Sequence, residues 1–198
     1  MTGTAKKVRL FFLVMAIAVL SACGGIHYTW ENPDVGEFHP DTIIILPLDM
    51  GPNTEATAPA EDIITETLED TGRFSAVRSA DEMRARFAGD RDTERIVTTY
   101  IEKFKTLSYS DPALSARIGS VYESEALFFV TVDFWEYTVQ DDEKVGKVGF
   151  SVSLVDAATG IITWRASHTE VDDYLIIKPD LDDLAEDVAE TIMDEMPE

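Results

Sequence analysis

Cysteine occurs once in this chain, at position 23, and histidine three times. One thiol cannot form an internal disulfide, so the fold must be held by a packed core. His27, His39 and His168 are scattered, without the spacing of a zinc site or a catalytic pair. No G-x-S-x-G, no H-E-x-x-H and no phosphate-binding glycine loop is present. Basic residues are also scarce: 16 Lys and Arg against 38 Asp and Glu. Nucleic-acid binding rests on neutralising phosphates, so this balance argues against it, and against adhesion to anionic headgroups by charge. No apolar run approaches the roughly 20 residues of a membrane-spanning helix. No cofactor and no metal is expected, and no residue is assigned a catalytic role. The chain reads as a non-enzyme.

The one cysteine closes the one greasy stretch. Lys6, Lys7 and Arg9 precede an eleven-residue apolar segment, residues 10–20, and small residues follow. This is the layout of a secretory signal. The string Leu20, Ser21, Ala22, Cys23 resembles a bacterial lipobox. The resemblance implies cleavage before Cys23, a diacylglycerol thioether on its sulfur and acylation of the new amino group. Several acyl chains hold a protein on a membrane stably, where one does so only marginally. Gly24 follows the cysteine, not the aspartate that would suggest retention at an inner membrane. That points to the periplasmic face of an outer membrane. The leader holds three of the 16 basic residues and none of the 38 acidic ones, so its removal takes the formal charge from −22 to −25. The simplest meaning of that charge is solubility.

Residues 23–41 read as the lipidated terminus and a tether, with Tyr28, Trp30 and Phe38 as unusual aromatics in it. Residues 42–198 read as one periplasmic domain. "TIIILPL" is a β-branched run suited to a strand buried on both faces. A helix over 59–71, a short strand "RFSAVRS" and helices over 80–88 and 93–107 follow. Another helix begins behind the cap signal of Asp111 and Pro112. From Ala126 the period becomes two. "ALFFVTVDFWEYTV", "VGFSVSLVD" and "IITWRASH" make a three-strand meander, joined by an acidic turn, "QDDEKVGK", and by "AATG". A last helix covers 180–195. The order β-α-β-α-α-α-β-β-β-α predicts an α/β (α+β) fold: a single mixed sheet with helices packed on one face.

Strict alternation puts Phe128, Val130, Val132 and Phe134 on one side of the long strand. It puts Phe129, Thr131, Asp133, Trp135 and Tyr137 on the other. With Arg165 from the third meander strand, Phe129, Trp135, Tyr137 and Asp133 form a candidate partner-binding face, in which Asp133 and Arg165 would pair.

The strand "IIILPL", the segment "LEDTGRFSAV", and above all "LVDAATGIITW" resemble a broad group of envelope lipoproteins. It includes the amino-terminal domain of the Tol system's periplasmic protein, the curli-secretion lipoprotein and the lipoproteins that activate penicillin-binding proteins. The resemblance spans residues 42–195. It implies an accessory or assembly factor that binds another envelope protein, with a subunit of an oligomeric secretion complex as the alternative. A peptidoglycan-acting enzyme is the third reading. It requires a carboxylate with a raised pKa in a cleft. The short acidic link between the first meander strands leaves no room for a membrane-entering hairpin.

Overall fold

The computed structural model describes residues 27–36, 38–87 and 89–197. The leader and Cys23 lie outside them. Six strands form one sheet: β1 (Tyr28–Glu31), β2 (Thr42–Ile45), β3 (Ala76–Arg78), β4 (Ala126–Gln140), β5 (Glu143–Asp156) and β6 (Ile162–Asp173). Their spatial order is β1-β6-β5-β4-β2-β3. β2 runs parallel to β3 and β4, and the remaining pairs are antiparallel. Among the described residues five α-helices accompany it: α1 (Thr57–Asp70), α2 (Ala80–Phe87), α3 (Arg91–Leu107), α4 (Pro112–Tyr122) and α5 (Leu181–Asp194). The single mixed sheet and the α/β class are as expected.

The helices lie on both faces, not on one. α1 and α5 close a core over Ile43, Ile45, Phe128, Val130, Phe150, Val152 and Trp164. α2, α3 and α4 close a second core over Ile44, Leu46, Leu127, Phe129 and Val155. The all-apolar β2 accounts for both, since successive side chains of a strand point to opposite faces and each needs cover. The apolar stripe Ile96, Val97, Tyr100 and Phe104 on α3 meets the second face. Asp90, Asp111 and Asp180 cap α3, α4 and α5 by accepting backbone N–H groups of the first turn.

Two further differences concern turns and ends. Tyr28–Glu31, read as tether, pairs with β6 as an edge strand. The β4–β5 connection is tighter than "QDDEKVGK" suggested. Asp141 and Asp142 both adopt left-handed conformations, with φ of 52° and 69°, and β5 begins at Glu143. Two residues with positive φ make the turn whose twist suits a hairpin.

The segment "LVDAATGIITW" folds as a turn wedged onto α4. Asp156 accepts from the Ala158 N–H at 2.9 Å and from the Thr159 hydroxyl at 2.6 Å. Gly160 has φ +71°, and a β-carbon there would stand 2.7 Å from Pro112 Cα. Gly160→Ala therefore meets both a backbone penalty of about 1–2 kcal/mol and a clash. A lower urea midpoint with an unchanged slope is the expected result.

Candidate functional site

The five residues of the candidate face do not share one surface, because the long strand changes parity. The pairing of β4 with β5 steps from Val132 opposite Phe150 to Phe134 opposite Gly149, leaving Asp133 as a bulged extra residue. Beyond it, Trp135 turns into the first core, where its ring lies 6.3 Å from that of Phe150. Tyr137 follows to the same side. It is exposed, and its hydroxyl donates to the Pro179 carbonyl at 2.8 Å. Phe129 is buried in the second core, 4.6 Å from the ring of Phe104.

Asp133 and Arg165 do not pair. In the sheet register Arg165 stands in the row of Phe129, Ser153 and Trp30, whereas Asp133 lies beyond the next row, of Thr131, Ser151, Ser167 and Tyr28. The Asp133 carboxylate instead accepts the Ser151 hydroxyl at 2.5 Å. Among the described residues the buried Nε of Arg165 has no hydrogen-bond partner.

What remains of the expected face is a groove of about 370 Å³ with hydroxyl groups among its lining. α3 ends at Leu107, and the middle of β4, β5 and β6 beyond it is only partly covered. Thr131, Ser151, Ser153, Arg165 and Ser167 floor it, and Phe104 with Phe129 closes one end. On the rim, Lys105 donates to Asp49 at 2.6 Å. This pair is 56 residues apart in sequence, and no local pattern announces it. The groove holds hydroxyls, one guanidinium and one ion pair. These are hydrogen-bonding groups set in a lining that also includes Tyr28, Phe104, Phe129 and Val152.

Burial raises the pKa of Asp133 above its ordinary 3.8, and the charge of Asp49 adds to this, while the Ser151 hydrogen bond lowers it. A folded-state pKa above the unfolded one means the folded chain binds more protons between the two values, so stability falls as pH rises through that window. Asp133→Asn removes this fall. The variant should be more stable than the wild type at neutral pH, with the advantage vanishing below the ordinary aspartate range. Denaturant titrations at neutral and acidic pH check it.

The structure does bring two histidines together. The rings of His27 and His168 stand edge to face at 5.6 Å, and His168 Nε2 lies 2.6 Å from a Glu170 carboxylate oxygen. Among the described residues no group of three or more His, Cys, Asp and Glu is arranged to hold a metal ion. No described helix is long and apolar enough to cross a membrane.

The chain shares its fold with solved bacterial proteins. PelC from Paraburkholderia phytofirmans, a dodecamer, superposes with a TM-score of 0.54 at 17% identity, over 85% of this chain and 96% of that one. A singly substituted form of the same dodecamer gives 0.54 at 18%, over 85% and 95%. Lipoprotein GNA1162 from Neisseria meningitidis gives 0.52 at 18%, over 79% and 100%. No protein-family model matches the chain, and no curated protein does. At these identities the likeness is one of fold, and it agrees with the envelope-lipoprotein type of fold that the sequence suggested.

Proposed function

We propose that this chain is a non-enzymatic lipoprotein, held on the periplasmic face of an outer membrane by lipid on Cys23. Its domain binds another envelope protein as an accessory or assembly factor. The observation that carries this reading is the lipobox-like Leu20, Ser21, Ala22, Cys23 standing ahead of a fold that lipoprotein GNA1162 also has. Cys23→Ser tests it. The variant should fold as the wild type does and move from the membrane fraction to the soluble fraction. Retention in the membrane would refute the anchor.

One observation favours a second form of the same reading, a subunit of an oligomeric envelope complex: PelC shares the fold and is a dodecamer. Light scattering on the detergent-solubilised, lipidated protein separates the two. A monomer supports the accessory role, and a closed multiple of the chain mass supports the subunit.

The enzymatic alternative has one point in its favour, the raised pKa of Asp133 beside a groove. The Ser151 hydroxyl occupies that carboxylate, and glycoside hydrolysis generally needs a second carboxyl group facing it across the scissile bond. Asp49, the acid whose charge reaches Asp133, is held by Lys105. Asp133→Asn should therefore leave the envelope function of the chain intact.

A further inference from the structure

The connection between β6 and α5 exposes three consecutive aliphatic side chains. Leu175 is 91% exposed, Ile176 92% and Ile177 85%. Exposure of single aliphatic residues is ordinary, but a contiguous apolar tip marks a contact surface. The base of this loop is tied down on both sides. The Tyr174 N–H donates to the Lys144 carbonyl at 2.9 Å, and the Tyr174 ring packs edge to face on Tyr137. Pro179 accepts the Tyr137 hydroxyl and stands where a β-carbon on Gly146 would be. The Lys178 ammonium lies 4.0 Å from the centre of the Tyr137 ring. The loop is thus an apolar tip on a fixed base of two tyrosines and a lysine. Amphipathic aromatics and lysine have this placement where protein meets the interface of a bilayer.

The position of the tip agrees. β1 is antiparallel to β6, with Tyr28 opposite Ser167. The chain preceding Tyr28 therefore leaves the sheet toward the end of β6, which is the end that carries the loop. His27 already meets His168 there. The five steps from Tyr28 back to Cys23 span at most about 17 Å, and the seven from Ser167 to Tyr174 about 23 Å, at ~3.3 Å per residue. Lipid on Cys23 and the apolar tip can reach one surface together.

We infer that Leu175, Ile176 and Ile177 insert into the bilayer that holds the lipid of Cys23 and so fix the orientation of the domain on the membrane. This rests on the anchor reading. The insertion is apolar in origin, since Asp141, Asp142, Asp172 and Asp173 lie at the same end and oppose anionic headgroups. Zwitterionic lipid is the preferred surface.

The test uses the full-length chain, lipidated on Cys23, with an environment-sensitive fluorophore on Ile176→Cys. A second chain carries it on Ala158→Cys, in the β5–β6 turn at the opposite end of the sheet. Each is reconstituted on vesicles of phosphatidylcholine and phosphatidylethanolamine. The expected result is a blue shift and a several-fold loss of iodide quenching at 176, with 158 unchanged, and a smaller shift when phosphatidylglycerol is added. A protein that floats with the vesicles while 176 stays aqueous overturns the inference and leaves the anchor standing. Equal flotation of a Cys23→Ser chain refutes the anchor instead. A blue shift without lipid that grows with protein concentration overturns the inference in favour of a second copy on the loop.

Discussion

Phe150→Ala is expected to remove about 3–5 kcal/mol of stability, the usual cost of emptying a buried phenylalanine site. Phe150 has no exposure at all and sits in the middle strand of the meander. Its neighbours across the sheet are Val132 and His168, and the Trp135 ring lies against its own. α1 and α5 bury the same core, so collapse around the void would have to shift helices as well as side chains. Domains of this kind have stabilities of about 5–15 kcal/mol, so the variant stands near the limit of folding. Equilibrium urea unfolding followed by tryptophan fluorescence measures it. A loss below about 1 kcal/mol would mean that the two layers are not packed as described.

Arg84→Met is expected to cost about 1–3 kcal/mol, through the carboxylate it leaves behind. Glu61 on α1 is buried, and Arg84 on α2 reaches it with both terminal nitrogens, the Nη1 to Oε1 distance being 2.8 Å. Hydrogen bonding to Glu61 raises the pKa of Arg84 further above its ordinary value, so the guanidinium stays charged. The two helices belong to opposite faces, and this pair joins them near the β3 edge of the sheet. Arg84 is part-exposed and also meets Asp81, which keeps the expected loss below that of a fully buried pair. Replacing both residues with methionine should cost less than Arg84→Met alone, because no ion is then stranded. A double-mutant cycle from denaturant curves reads the coupling directly. Strict additivity would show that the contact contributes nothing.

The sequence by itself determined the order of elements from Thr42 onward, the meander, the turn at Gly160 and the cap of α4 at Asp111. These depend on spacing, breakers and caps, which act over a few residues. It also placed Ile43, Ile44 and Ile45 in a strand covered on both sides, and that run already required a second helical layer. The single-layer expectation came from treating the meander alone as the template, since its β5 alternates cleanly with Gly149, Ser151 and Ser153 on one side. Only the tertiary structure decided which residues of β4 look where. A bulge at Asp133 adds one residue to one strand, and because the side-chain period is two, every residue beyond it changes face. Trp135 and Tyr137 left the expected surface for that reason, and Phe129 left it because α3 covers that end of the sheet. The groove, the contact of Lys105 with Asp49 and the addition of Tyr28–Glu31 to β6 join residues dozens to more than a hundred positions apart. Such contacts follow from how the layers close over the sheet, a global packing choice that no short window of residues encodes.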